Sequence, residues 1–151
     1  MRTIDITTVP LTGIEVIRPL WENLRLHHLR RSPHFGPYYE SFTFEKRIEK
    51  FLGDDIDINI DVARDGATIA GYCISTIDRN GLGEVDSIFI EEEYRRSGTG
   101  DRLLRRAIEW LKAGEATGIT IVVAAGNEEA LPFYRRYGFY PAYTTLKPGG
   151  G

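Results

Sequence analysis

Apolar and polar positions alternate with a period of about two along some stretches and about 3.6 along others. Residues 3–9 alternate around Ile4 and Ile6 and are rich in β-formers, which predicts a first strand ended by Pro10. From about 13 to 31, Ile14, Ile17, Leu20, Trp21, Leu24, Leu26 and His28 fall mostly on one side of a helix. Thr12 is placed to cap this helix and Pro19 to kink or split it. Residues 32–42 set Pro33, Gly36 and Pro37 among Phe35, Tyr38 and Tyr39 and predict a loop. Thr43, with Lys46 and Ile48, opens a second helix ending near Gly53. Stretches 57–64, 68–78 and 83–90 read as strands joined by turns at Asp65-Gly66 and Asn80-Gly81, an antiparallel meander. Leu103, Leu104, Ala107, Ile108 and Leu111 then form the apolar stripe of a long helix that ends at about 114–118. Residues 119–125 are continuously apolar, the pattern of a fully buried strand. The helical crossover makes this strand parallel to its predecessor. A short helix at 128–137, stopped by Gly138, and a last strand at 139–146 complete the order β-α-α-β-β-β-α-β-α-β, an α/β (α+β) arrangement.

Composition narrows the class. The chain has 151 residues, enough to bury a core in one domain, expected to span 1–147 with a flexible 148–151 tail. The formal charge of −3 gives no support for nucleic acid as the main partner. One cysteine, Cys73, rules out an internal disulfide framework and fits a reducing compartment. No apolar run approaches a membrane span, and the N-terminus lacks a basic-then-apolar leader pattern, so a cytoplasmic protein without membrane partners is expected. No metal site is expected.

The chemistry concentrates where the strand at 85–90 runs into Arg95-Arg96-Ser97-Gly98-Thr99-Gly100 and that turn opens a helix. A helix N-terminus leaves backbone N–H groups unpaired at the positive end of the macrodipole, and glycines let the backbone approach a ligand. This is an anion cradle, most often for phosphate; the plain alternative is a strand-to-helix turn with glycines for geometry. No Gly-Lys-Ser/Thr follows, so it is not a Walker loop. Leu103 stands where a dinucleotide fingerprint needs a small residue.

The turn matches Arg/Gln-x-x-Gly-x-Gly/Ala. Downstream, Asn127-Glu128-Glu129-Ala130-Leu131-Pro132-Phe133-Tyr134 precedes Tyr137-Gly138-Phe139. In this order and at this separation, the two signatures resemble those of the GCN5-related N-acetyltransferases, the GNAT superfamily. The resemblance is close over 84–140; the N-terminal half fits in its order of elements. It implies an acyl-CoA N-acyltransferase fold, with a mixed central sheet of about six to seven strands flanked by about four helices. It also implies acetyl-CoA as cosubstrate, an amine acceptor, direct transfer in a ternary complex, and compatibility with a homodimer.

On this resemblance the pyrophosphate meets the backbone from Arg96 through Ser97, Gly98 and Thr99 to Gly100, with Arg95 and Arg96 adding positive charge and the hydroxyl of Ser97 or Thr99 a hydrogen bond. The pantetheine arm runs along the backbone of Ile88, Phe89 and Ile90 and meets Asn127, with Ala130 and Phe133 belonging to the same cofactor-binding signature. Asn127 is also well suited to cap the helix at Glu128. Tyr134 matches the position whose hydroxyl lies near the CoA sulfur and is assigned as general acid; a core aromatic is the plain alternative. A phenol with a pKa of about 10 holds its proton at neutral pH.

Glu84 and Asp86 are the carboxylates nearest the cradle. Two residues apart on a strand, they share a face unless a bulge intervenes. Glu84 is favoured over Asp86 as general base; solvated carboxylates that merely attract a cation are the alternative. His27, His28 and His34 titrate in the right range but read first as structural or exposed. With Glu40 and the aromatic loop, the two carboxylates lead to the expectation of a positively charged amine. Cys73 has no motif histidine, which argues against an acyl-cysteine route. The competing readings are a catalytically inactive CoA-binding sensor or structural module, and a transferase using another acyl donor or acceptor.

Overall fold

The computed structural model describes residues 3–53 and 55–150. Strand β1 (Asp5–Val9) leads through a 3-10 turn (Leu11–Ile17) into helix α1 (Arg18–Arg31), followed by short helices α2 (Gly36–Ser41) and α3 (Phe44–Glu49). The meander follows as β2 (Asp57–Asp65), β3 (Thr68–Ile77) and β4 (Leu82–Ile90). Helix α4 (Thr99–Ala113), β5 (Gly118–Ile121) and α5 (Leu131–Arg135) complete the order. The sheet order is β1-β2-β3-β4-β5, antiparallel except for the parallel β4–β5 pair that the α4 crossover requires.

Both meander turns have the predicted chemistry. Gly66 and Gly81 take φ of 61° and 83°, and Asp78 Oδ1 accepts from the backbone N–H of Asn80 and Leu82 at 2.8 and 3.0 Å. The central strand β3 is buried along almost its whole length because both faces are covered. On one face Tyr72 and Ile74 pack with Ile14, Ile17, Leu20, Trp21 and Phe44; on the other Cys73 and Ala70 pack with Leu103, Leu104, Ala107 and Leu111 of α4. Buried Asp61 ties α4 to the sheet, accepting from Arg106 at 3.2 Å and from Thr8 Oγ1 at 2.6 Å.

The run at 13–31 is split at Pro19, as expected: a 3-10 helix ends at Ile17, and Pro19 lies in the first turn of α1, where a missing N–H costs nothing. Several expectations need correction. The turn before α1 is a 3-10 helix flanked by Pro10, not a helix capped by Thr12. Residues 36–41 of the expected loop form α2, whereas the expected helix at 128–137 reduces to a 3-10 turn (Glu128–Ala130) and α5. Stretch 119–125 is neither fully strand nor fully buried: β5 stops at Ile121, and Val122 is 78% exposed. Residues 139–146 form no strand, and Tyr140, Tyr143 and Leu146 are exposed. β-formers make a strand only where an edge receives them, and Pro141 removes one donor. The sheet of the described residues therefore has five strands, fewer than the six to seven expected.

One irregularity positions the site. Ile74 pairs with Ser87 and Ser75 with Val85, so Asp86 is the extra residue of a β-bulge. Val85, just before the bulge, is also the last residue of β4 that pairs with β5, opposite Ile121. Bulges bend a strand and increase its twist. Beyond this one, β4 and β5 separate, leaving the β5-side edge of residues 86–90 open.

Candidate functional site

A cavity of about 250 Å³ lies where the two strands part. Val85–Ile88 of β4, Ile121 at the end of β5 with Val122, Val123 and Ala124 beyond it, Asn127 and Tyr134 form one side. Trp21, Leu24, Arg25 and His28 of α1, Tyr38 and Tyr39 of α2, Phe42, and Arg47 of α3 form the other. The aromatic wall is continuous: Tyr38 stacks on Phe42 at 5.3 Å between centroids, meets Tyr39 edge-on at 5.1 Å, and Tyr39 lies 5.3 Å from the His28 ring.

The glycine-bearing turn lies beyond the end of β4. Arg96 takes φ of 65° and Gly98 of 83°, and α4 starts at Thr99 without a side-chain cap. The first helical bond runs from Arg102 N–H to Gly98 O, so the N–H groups of Thr99, Gly100 and Asp101 have no partner within the helix. The Ser97 hydroxyl donates to Tyr94 O and lies 2.8 Å from that of Thr99, which is buried, so these side chains shape the turn. Arg95 donates from Nε to Ile90 O at 2.9 Å and lies over the Phe89 ring. A Cβ at Gly100 would sit 3.6 Å from Phe133 and 3.7 Å from Ile90, which places α5 directly over the turn. Arg136 and Tyr137 fasten α5 there by hydrogen bonds to Asp101.

The two sequence signatures therefore meet in space. Tyr134 and Asn127 line the cavity, while Phe133 packs at its cradle end. Ala130 lies in the 3-10 turn and is not part of the cavity wall. Asn127 makes no side-chain cap bond; its Oδ1 instead faces His27 Nε2 at 3.1 Å. Burial, with the nearby Cys73, pushes the Tyr134 phenol up to about 12, and burial pushes the Cys73 thiol up to about 12. Both hold their protons at neutral pH.

The carboxylates are not the free acidic pair expected. Asp86 lines the cavity with a fully enclosed side chain, whereas Glu84 is not in the cavity wall. Lys50 Nζ lies 2.5 Å from Asp86 Oδ1 and 2.5 Å from Glu84 Oε1. Arg47 contributes a second cation 3.2 Å from Asp86 Oδ2. Burial works against the Lys50 ammonium, but Asp86 and Glu84 outweigh it and raise its pKa. Glu40 is exposed and outside the wall. Burial and His27 push the His28 imidazole down to about 4, so it is neutral at pH 7, with Nδ1 buried and unpaired. His34 is exposed; its carbonyl accepts from Gly150 N–H at 2.8 Å.

Arg25, Arg47, Lys50 and the His27–Asn127 contact were not anticipated. The charged side chains lie in helical stretches that read as solvated faces. Arg47 and Lys50 meet partners 34 to 39 positions away, and His27 meets Asn127 across 100, while Arg25 bonds Glu22 and the Tyr39 carbonyl. The one local signal is the Thr43 cap, which accepts from Lys46 N–H and so starts α3 where it can deliver Arg47 and Lys50.

Comparison with known proteins gives a consistent picture. A family model described as Acetyltransferase (GNAT) family matches residues 23–139. An uncharacterized N-acetyltransferase from Methanocaldococcus jannaschii is 33% identical over 44% of this chain and 29% of its own length. Streptothricin acetyltransferase A from Bacillus subtilis is 27% identical over 68% of this chain and 64% of its own. The chain thus spans less than two thirds of either relative. The PaiA N-acetyltransferase of Thermoplasma acidophilum, solved with coenzyme A, shares the fold with a TM-score of 0.72 and 20% identity, over 95% of this chain and 93% of that one.

Proposed function

The chain belongs to the acetyltransferase (GNAT) family, and on that footing we propose that it is an acetyl-CoA-dependent N-acetyltransferase, passing the acetyl group directly to a primary amine of a small molecule or protein. The observation that carries this reading is the cavity in which the open edge of β4, Asn127 and Tyr134 face an aromatic wall. The cofactor enters from one side and the acceptor from the other.

The pyrophosphate is held by the N–H groups from Arg96 to Gly100, assisted by the charge of Arg95 and Arg96. The pantetheine arm lies along Ile88, Phe89 and Ile90, with Asn127 bonding one of its amides. Acetyl transfer forms a C–N bond as the C–S bond breaks. Tyr134 supplies a proton to the departing thiolate, and its raised pKa keeps that proton available. Asp86 orients the incoming amine. Lys50 pairs with its Oδ1, while Oδ2, 3.2 Å from Arg47, is buried without a hydrogen bond of its own and is the oxygen that meets the amine; the amine proton leaves to solvent. Glu84 acts at one remove, by sharing Lys50 with Asp86. Cys73 is buried and protonated, which supports direct transfer over an acyl-cysteine intermediate.

The test is initial-velocity kinetics of thiol release from acetyl-CoA with a panel of primary amines. Intersecting lines are expected when both substrates are varied. Parallel lines would replace the ternary complex by a covalent intermediate. CoA binding without thiol release on any amine would leave a cofactor-binding module.

A further inference from the structure

We infer that His27 is a positioning residue that sets the orientation of the Asn127 carboxamide for the cofactor. His27 Nε2 lies 3.1 Å from Asn127 Oδ1, a contact between positions 100 apart in the chain. Asn127 lines the cavity and spends no side-chain bond on capping its own turn. His27 is not in the cavity wall, so it acts through Asn127. An imidazole N–H donating to Oδ1 leaves the two Nδ2 hydrogens of the amide for an acceptor on the cavity side. An asparagine free to rotate would present either end, and the cofactor would bear the cost of choosing between them.

The surrounding contacts hold this pair at a fixed distance. Arg31, one turn further along α1, ion-pairs with Glu129 at 2.9 Å, and Glu129 Oε1 also lies 3.8 Å from His27 Nε2. Gly126 passes so close to α1 that a Cβ there would fall 2.2 Å from Arg31 O. The 126–129 turn is thus docked on the same helix that presents Arg25 and His28 to the cavity. The other ring facing His27 is His28, at 6.0 Å between centroids.

This inference rests on the proposed contact between Asn127 and the pantetheine arm, and a double-mutant cycle separates the two. His27→Phe keeps a planar ring but removes the donor. It should raise KM for acetyl-CoA and Kd for CoA about fivefold, the scale of one hydrogen bond, while kcat and the acceptor KM stay close to wild type. His27→Gln restores an amide donor and should recover most of the loss. In an Asn127→Ala background, His27→Phe should have no further effect. Additive losses would overturn the positioning role while leaving Asn127 as a cofactor contact. A silent Asn127→Ala would overturn the Asn127 contact itself, and the inference with it. Thermal melts identify a variant that has lost its fold; if His27→Phe unfolds, the cycle is read with His27→Leu, which also lacks the donor.

Discussion

Lys50 Nζ sits 2.5 Å from Asp86 Oδ1, a contact that joins the end of α3 to the bulge of β4 across 36 positions of sequence. Removing this cation should free the cavity carboxylate. Lys50→Met is expected to lower KM for cationic amines several-fold while costing about 1 kcal/mol of stability, since Lys50 is partly exposed. Asp86→Asn should raise acceptor KM at least tenfold, whereas Glu84→Gln should change it less than threefold, because only Asp86 faces the cavity. Steady-state kinetics on one amine decide this; a Glu84→Gln defect equal to that of Asp86→Asn would return the acceptor role to Glu84.

Tyr134→Phe should retain CoA affinity and lower kcat by ~10²-fold, the scale of general acid catalysis. Burial raises the phenol to about 12, so its acid form persists throughout the accessible range. Wild-type kcat should therefore show no basic limb below about pH 11, and kcat/KM should climb with the free-amine fraction. A basic limb near pH 8 that disappears in Tyr134→Phe would contradict this.

His28 links pH to stability. Its folded pKa is lowered from 6.5 to about 4, mainly by burial. The unfolded chain takes up a proton there before the folded one does. The stability contributed is complete above about pH 6.5 and is lost as pH falls towards 4 and below. Allowing for screening of the partly exposed ring, the loss should be about 1–2 kcal/mol. His28→Phe, which can still stack on Tyr39, should flatten the decline in Tm between pH 7 and 4; parallel curves would remove His28 as its source.

Gly98 separates backbone strain from charge in the cradle. A Cβ there touches nothing within 4 Å, so the cost of a side chain is its φ of 83°, about 1 kcal/mol. Gly98→Ala should bind CoA within a few-fold of wild type. Gly98→Glu places an anion at the α4 N-terminus and should weaken binding tenfold or more. Equal affinities by calorimetry would move the pyrophosphate elsewhere.

The elements that could be read in the sequence are those fixed by short-range chemistry. Asp65-Gly66 and Asn80-Gly81 select tight turns, and the Leu103–Leu111 stripe has one partner face. The glycine-bearing turn was visible for the same reason. What escaped depends on distant contacts. Residues 139–146 have the composition of a strand, but composition cannot supply the edge that would receive it. The bulge at Asp86 has no marker in β4 and exists only in register with Ile74 and Ser75. Glu84 and Asp86 looked like a free acidic pair because nothing local announces Arg47 and Lys50.

The parting of β4 from β5 after Val85 has a thermodynamic consequence. A sheet that stops short is an unfinished fold, and the pantetheine arm of the proposed cofactor can act as its missing strand. Occupancy then enters the folding equilibrium: at a hundred times Kd the ligand adds about 2.7 kcal/mol to the folded state. Amides 86–90 should exchange with solvent more slowly as CoA is added. The amount of intact protein in a cell would then track the supply of its own cosubstrate.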